Sequence, residues 1–164
     1  MAFVTTTVMG FKPIFSDHRL ATETLRQLGE TAGIFEAALV GYVLMPSHLH
    51  ILVGLKDYND VSTLMQSFKS LSARRIKQHL EGLEKSLNDG FRLWRPRFDE
   101  LIITSKEQFD IKLNYIHLNP VKAGLVSLAE DYPFSSASDW ILDKPGLIVV
   151  DKNFAWLGAP TGRP

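Results

Sequence analysis

The sequence predicts an α+β domain in which helices lie mainly on one face of a central antiparallel sheet. Three observations support this prediction. Strand-like and helix-like segments follow one another in the order β-α-β-β-α-β-α, two consecutive strands are joined by a very short turn, and the helical segments are amphipathic. The chain has 164 residues, 45% hydrophobic and 22% charged, which is the balance of an ordinary globular domain.

The strands are predicted from runs of β-branched and apolar residues that end at turn-forming residues. The four predicted strands are residues 3–9, a strand contained in residues 34–45, residues 48–55 and residues 91–104. Only Pro46 and Ser47 separate the second strand from the third, so we expect a hairpin at the centre of the sheet. Pro96 lies in the middle of the fourth strand and predicts a bulge there.

The helices are predicted from apolar residues at helical spacing and from capping residues at their ends. The three predicted helices span residues 16–33, 61–80 and 105–123. The third begins with a capping box, Ser105-x-x-Gln108, and Pro120 is expected to kink its end. We therefore predict a domain over residues 1–140, followed by a tail of unassigned role at 141–164 that is rich in proline and glycine.

Composition excludes several classes of protein. Lysine plus arginine and aspartate plus glutamate both number 18, and this zero net charge argues against DNA binding through bulk charge, although a local basic face is compatible with it. The chain has no cysteine, which excludes disulfides and thiolate metal sites. It has no signal-peptide pattern and no apolar run of about 20 residues, so we expect a cytoplasmic protein without membrane contact.

Two histidines stand one residue apart in the predicted third strand, in the segment "HLHILV". Because side chains alternate along a strand, His48 and His50 project from the same face. Two imidazoles placed in this way can converge on one metal ion. The alternative, that each is a half-buried histidine bonded to a neighbour, stays open on this pattern alone.

The predicted third helix places a phenol and a carboxamide side by side. Tyr115 and Asn119 are one turn apart and share a face with Lys122, whereas His117 lies nearly opposite Tyr115. A metal held by two imidazoles and an amide oxygen keeps positions open for a phosphate, and an adjacent tyrosine could attack that phosphate. The alternative is a surface tyrosine, with Asn119 capping the helix before Pro120.

Several segments resemble one family of enzymes. "HLHILV" resembles the histidine-hydrophobic-histidine signature of the HUH endonucleases, and "YIHLNPVKAGLV" resembles the tyrosine segment of the REP-associated tyrosine transposases. These are relatives of the single-tyrosine transposases of small bacterial insertion sequences. Shorter matches include "MPSHLHIL", "FKSLSARRI", "LWRPRFDELI" and "YPFSSASDW", so the resemblance extends from about Phe3 to Trp140.

The resemblance implies a ferredoxin-like αβ sandwich that cleaves and rejoins single-stranded DNA near hairpins through a 5′-phosphotyrosine. It implies that His48, His50 and Asn119 bind a divalent metal, Mg²⁺ or Mn²⁺, and that Tyr115 is the nucleophile. Asn119 stands where the insertion-sequence relatives have glutamine. Imidazole ligands favour manganese. The resemblance further implies a bacterial protein that associates with the nucleoid when bound to DNA, as a monomer or a homodimer.

Basic and aromatic side chains are candidates for holding the single strand. Lys122 is one, since it could neutralise a phosphate near Tyr115. The others are Lys69, Arg74 and Lys77 on the predicted second helix and Arg92, Trp94, Arg95 and Arg97 in "RLWRPR". The alternatives are a solvated helix face for the charges and a core position for Trp94.

Three other functions compete with the transposase hypothesis. A metal hydrolase built on a barrel needs roughly 250 residues, more than this chain has. A two-histidine phosphodiesterase needs H-x-[ST] twice, and neither His48 nor His117 is followed by that pattern. A non-catalytic, domesticated protein that binds DNA hairpins is compatible with the sequence and stays open.

Overall fold

A four-stranded antiparallel sheet forms the centre of the computed structural model, which describes residues 1–56, 60–81 and 92–154. The strands are β1 (Ala2–Thr7), β2 (Ala38–Met45), β3 (His48–Gly54) and β4 (Asp99–Ile102). Their order in the sheet is β2-β3-β1-β4, with every neighbouring pair antiparallel. The α+β class and the antiparallel sheet predicted from the sequence are thus confirmed. Of the predicted hairpin, β3 lies at the centre of the sheet and β2 at its edge.

Three long helices and one short helix accompany the sheet. They are α1 (His18–Ile34), α2 (Asp60–Glu81), α3 (Lys106–Lys122) and α4 (Ala137–Leu142). Asp17 caps α1 by accepting a hydrogen bond from the Arg19 amide, and Ser105 caps α3 by accepting one from the Gln108 amide, as the capping signals predicted. None of the helices in the described part of the chain has the length and hydrophobicity needed to span a bilayer.

The helices divide between the two faces of the sheet. The pair α1 and α2 packs over the face that carries Leu49, Ile51 and Val53, all nearly inaccessible to solvent. The opposite face carries His48 and His50, and α3 lies across it. The expected placement of helices on one face therefore holds for α1 and α2, whereas α3 covers the other face.

A glycine in β2 allows α3 to approach the sheet closely. A Cβ atom on Gly41 would lie 2.9 Å from Cδ1 of Leu113 in α3. Most core Cβ contacts are longer than this, so even an alanine at position 41 would displace the leucine. The absence of a side chain at this position allows α3 to sit close above β2 and β3.

The fourth predicted strand is much shorter in the structure. The prediction covered residues 91–104, of which residue 91 lies outside the described residues. Continuous pairing with β1 is limited to β4, because the chain diverges from the sheet around Pro96, and among the described residues before that point only the Arg95 amide bonds β1, at Thr7 O. Trp94 joins the sheet only through an isolated bridge to Val8. Its indole is 5% exposed and its Nε1–H donates to Ser72 Oγ at 2.9 Å. Trp94 is therefore a core residue, and its prediction as a platform for DNA bases is corrected.

The C-terminal part of the described chain lies along the free edge of β2. The Leu44 amide donates to Phe134 O and the Asp151 amide donates to Leu39 O, both at 2.8 Å. Val150 is buried at this edge. Residues 134–136 and Asp151 therefore protect an edge strand whose peptide groups would otherwise be unpaired. The predicted boundary at residue 140 stays a prediction.

Candidate active site

The two histidines of β3 lie beside each other on the face that α3 covers. Their ring centroids are 4.8 Å apart. His48 is half-buried and His50 is 4% exposed. Strand alternation predicted this shared face, and the register confirms it, because His48 pairs with Thr7 and His50 with Thr5 of β1.

Hydrogen bonds orient both imidazoles. His50 Nδ1 lies 2.7 Å from Thr5 Oγ1, and His48 Nδ1 lies 3.2 Å from Ser47 Oγ. With Nδ1 protonated, each ring donates this bond to the hydroxyl and keeps a lone pair on Nε2. His50 Nε2 is buried and has no hydrogen-bond partner among the described residues. A buried nitrogen lone pair of this kind is suited to a metal ion.

Burial keeps these imidazoles neutral. It lowers the pKa of His50 to about 3, with smaller contributions from the charges of His48 and Lys112. Burial also lowers the pKa of His48. A metal ion binds the neutral form of imidazole, so at pH 7 neither histidine has to lose a proton before binding one.

α3 brings Tyr115 against the histidine pair. The centroid of its ring lies 5.2 Å from that of His50 and 6.0 Å from that of Phe3, and both contacts are edge-to-face. Phe3 in turn stacks on His50 at 5.5 Å. Tyr115 is 39% exposed, so one side of its ring is accessible while the other is fixed by packing. The structure thus brings together the three residues that the sequence placed in one site.

The other candidates on α3 occupy different positions. Asn119 lies one turn beyond Tyr115 and is half-buried, and its role as a ligand stays a prediction. His117 is buried on the opposite side, with Nε2 3.0 Å from Ser136 Oγ, and burial lowers its pKa to about 4. The sequence excluded His117 from the site of Tyr115, and these contacts agree with that exclusion.

The residues present set limits on a metal site. Among the described residues, no group of three or more His, Cys, Asp or Glu side chains is placed to hold an ion. A site built on His48 and His50 therefore needs a ligand of another type. The amide oxygen of Asn119 is one such group, and the phosphate of a substrate is another. The orphaned Nε2 and the neutral rings fit a divalent ion with two imidazole ligands.

A cavity of about 390 Å³ lies along β1 on the side towards β4, one strand away from the histidines. It connects to them through β1, because Thr5 bonds His50 and Thr7 pairs with His48. The residues that line the cavity are Thr5, Thr7, Arg95, Pro96, Arg97 and Asp99. Two exposed arginines of "RLWRPR" therefore lie one strand away from the histidine pair. Their separation along the chain did not reveal this.

Lys69 holds this arginine segment in place. Its Nζ donates to Arg95 O at 2.6 Å and to Pro96 O at 2.8 Å. Burial lowers the pKa of this lysine. The ammonium of Lys69 donates to two backbone carbonyls. Lys69 therefore supports the arginine segment and does not project into solvent as an isolated charge of α2.

The remaining basic candidates lie at the surface. Arg92 and Arg74 are exposed, Lys77 is half-buried, and Lys122 is exposed in the last turn of α3. Arg92 and Arg95 also line a second cavity, of about 470 Å³, between α2 and residues 92–98. The structure thus places these cations near grooves, and their contacts with DNA stay predictions.

Sequence reasoning missed three residues of the site. Phe3 and Thr5 contact His50 from β1, and only the strand register shows this. Lys112 lies one turn before Tyr115, with Nζ 4.7 Å from the ring centroid of Phe3 and 5.7 Å from that of Tyr115. The helical spacing between Lys112 and Tyr115 was visible in the sequence and could have indicated it.

Comparison with known proteins points to one family. The family model described as "Transposase IS200 like" matches residues 6–119, a range that includes His48, His50, Tyr115 and Asn119. A REP-associated tyrosine transposase of Escherichia coli is 32% identical over 97 residues, which are 58% of this chain and 51% of that protein. A candidate REP-associated tyrosine transposase of Haemophilus influenzae is 29% identical over 102 residues, 59% of this chain and 57% of that protein. The chain spans about half the length of these curated relatives.

A solved structure shares the fold. It is a REP-associated tyrosine transposase bound to a REP hairpin, and it superposes with a TM-score of 0.68 at 22% identity. The match covers 84% of this chain and 76% of that chain. At this identity the likeness concerns the fold, and it confirms the arrangement of helices around a four-stranded antiparallel sheet.

Proposed function

The chain belongs to the IS200-like transposase family, and we propose that it cleaves and rejoins single-stranded DNA beside hairpins through a covalent 5′-phosphotyrosine. The observation that carries this proposal is the position of Tyr115, whose ring lies 5.2 Å from that of His50. A nucleophile placed beside two neutral imidazoles is what metal-assisted phosphoryl transfer requires.

The proposed reaction uses the hydroxyl of Tyr115. Its oxygen attacks a phosphodiester phosphorus and forms the new P–O bond, while the phenolic proton passes to solvent. The bond between phosphorus and the 3′ oxygen breaks, and that oxygen takes a proton from water to become a 3′ hydroxyl. The 5′ phosphate stays on Tyr115. Attack by another 3′ hydroxyl reverses these steps and rejoins the DNA.

His48, His50 and Asn119 are the proposed ligands of the divalent cation, Mg²⁺ or Mn²⁺. A cation bound by these residues would polarise the phosphate and stabilise the leaving oxygen. The unpartnered Nε2 of His50 and the lowered pKa values of both histidines support this assignment. Thr5 and Ser47 bond Nδ1 of the two rings and would hold them in the orientation that leaves Nε2 available.

The substrate is proposed from local charge and from the relatives. Arg95 and Arg97 line the cavity one strand away from the histidines and are placed to bind the phosphates of a strand that enters the site. The further proposed phosphate contacts are Arg74, Lys77, Arg92 and Lys122. The matching solved structure holds a REP hairpin, which supports a hairpin-bearing single strand as the substrate here. DNA as the substrate would place the protein in the bacterial cytoplasm.

Trapping of the covalent product tests this function. The protein is incubated with hairpin-bearing single-stranded DNA and Mn²⁺ or Mg²⁺, and the adduct is resolved on a denaturing gel. We expect an adduct with the wild type and none with Tyr115→Phe or after chelation. Tyr132→Phe is the matched control, since it removes a buried hydroxyl that donates to Leu44 O, and it should retain the adduct.

Three outcomes would contradict the proposal. An adduct that persists in Tyr115→Phe would place the nucleophile elsewhere. DNA binding without any adduct would favour the non-catalytic hairpin-binding protein. Hydrolysis of a small phosphoester without an adduct would favour a metal hydrolase.

A further inference from the structure

Lys112 is the cation that lies next to the proposed nucleophile. It occupies α3 one turn before Tyr115 and is half-buried. Its Nζ stands 4.7 Å from the ring centroid of Phe3 and 5.7 Å from that of Tyr115. These two rings also contact His50, so the ammonium lies at the edge of the same aromatic cluster.

No carboxylate among the described residues accepts a hydrogen bond from the ammonium of Lys112. Among the described residues it forms no ion pair, whereas Lys106 on the same helix pairs with Asp110 at 2.6 Å. Contacts with aromatic faces hold an ammonium in place without using its three N–H donors as strong hydrogen bonds. Lys112 therefore presents a positioned charge with donors available.

This charge is unfavourable for the protein alone. The Lys112 ammonium lies against the two rings that contact His50, so its field opposes a positive charge on that imidazole and likewise opposes a metal cation beside it. The positive charge of Lys112 is compensated when an anion binds in the site. The phosphate of the proposed substrate is such an anion, and it would lie between Tyr115 and the histidine pair.

We propose that Lys112 binds a non-bridging oxygen of the phosphate that Tyr115 attacks. This inference rests on the proposed function and names the residue that receives the phosphate. Lys112 keeps its proton throughout: the bonds that form and break are those between phosphorus and the two ester oxygens. Its part is to hold the phosphate and to offset the negative charge that grows on it in the transition state.

The position of Lys112 suits this role better than that of Lys122. Lys122 follows Tyr115 by seven residues, which is about 10 Å along a helix axis, and it is exposed. Lys112 lies within one turn of Tyr115, and its Nζ lies against the tyrosine ring. Lys122 is placed for a neighbouring phosphate of the strand, and Lys112 for the reacting phosphate.

The test compares Lys112→Met with Lys106→Met, which removes the same charge from the same helix. We expect Lys112→Met to slow adduct formation about 10- to 100-fold, the usual effect of losing a hydrogen bond to a charged group. Lys106→Met should change the rate less than about twofold. Lys112→Arg should restore most of the rate, because it returns a cationic donor to the same turn.

A second measurement separates this role from a merely structural one. Mn²⁺ binding to the metal-free protein, without DNA, should become several-fold tighter in Lys112→Met, because a repelling charge near the imidazoles is gone. A structural disturbance would weaken both Mn²⁺ binding and the reaction. The proposal would be overturned if Lys112→Met lost both Mn²⁺ binding and adduct formation, or if it formed the adduct at an unchanged rate.

The binding of DNA distinguishes failure of this inference from failure of the proposed function. If the wild type forms no adduct, the proposed function fails and Lys112 is judged by its affinity for a short single-stranded oligonucleotide in the absence of metal. A phosphate contact predicts weaker binding and a salt dependence reduced by about 0.7 in log–log slope for Lys112→Met. Equal affinities and slopes in wild type and Lys112→Met would overturn it.

Discussion

At the scale of single residues, His50 is the side chain on which the site depends. One ring nitrogen bonds Thr5 Oγ1 at 2.7 Å, and the other is buried without a partner in the described part of the chain. A buried polar atom without a partner costs stability in the absence of a ligand. The chain therefore keeps this imidazole in one orientation, and Thr5 is the residue that keeps it there.

Thr5→Val should weaken metal binding. The change keeps the shape of the side chain but removes the hydroxyl that orients the ring of His50, and loss of such a partner lowers metal affinity about 10- to 100-fold. Titration calorimetry with Mn²⁺ on the metal-free protein measures the effect. Thr5→Ser keeps the hydroxyl and should bind within a few-fold of wild type. Equal affinities for Thr5→Val and wild type would show that Thr5 does not orient the ligand.

The sequence revealed the site residues that belong to local patterns. His48 and His50 share a face because strands have a period of two, and Tyr115 and Asn119 share a face because they are one helical turn apart. Thr5 meets His50 across 45 positions of the chain, through a register that no local pattern contains. For Trp94 a local pattern misled the prediction: the flanking arginines suggested an exposed platform for DNA bases, but the indole ring is buried.

At the scale of elements, the segment that carries the arginines is held from two sides. The Arg95 amide donates to Thr7 O at 2.8 Å, and Lys69 donates to the carbonyls of Arg95 and Pro96. The segment is thereby fixed between β1 and α2. Rigid support of this kind places Arg95 and Arg97 one strand away from the histidine pair before any DNA is bound.

Lys69→Met should loosen this segment without removing an arginine. Two carbonyls would lose a charged donor, at a cost of about 1.5–3 kcal/mol, and the Arg95 amide should exchange its hydrogen about tenfold faster or more. Hydrogen exchange followed by NMR measures the rate. Lys56→Met, which breaks an exposed pair with Glu36, should leave Arg95 unaffected. Unchanged exchange at Arg95 in Lys69→Met would mean that β1 alone holds the segment.

The helices were easier to predict than the last strand. The predicted helices at 16–33, 61–80 and 105–123 correspond to His18–Ile34, Asp60–Glu81 and Lys106–Lys122, because caps and apolar spacing are local signals. The extent of β4 depends on its pairing with β1, so the sequence of residues 91–104 alone could not give it. The closeness with which α3 packs on the sheet depends on Gly41, a residue far away in β2.

At the scale of the whole molecule, the two faces of the sheet have different chemistry. The face under α1 and α2 is an apolar core, whereas the face under α3 buries His50, and α3 itself buries His117. Burial of neutral imidazoles makes the second layer sensitive to acid in a way that the apolar layer is not. The layer that carries the proposed chemistry is therefore also the layer that limits stability at low pH.

The free energy of unfolding of the metal-free protein should fall as the pH falls below about 6.5. The folded-state pKa values of His50 and His117, about 3 and about 4, lie below the ordinary value near 6.5 of an unfolded chain. Between pH 6.5 and these folded-state pKa values, the unfolded chain binds protons that the folded protein excludes. The contribution of the two histidines to the free energy of unfolding is therefore complete above about pH 6.5 and is lost on acidification. Each histidine contributes at most about 1.4 kcal/mol per pH unit. Urea denaturation from pH 7 to 5 measures the slope of the free energy of unfolding against pH. This slope should become shallower in His117→Gln and stay unchanged in Asn114→Gln, a substitution at an exposed position of the same helix that has no titratable group. A stability independent of pH over this range would mean that both buried rings accept protons in the folded protein.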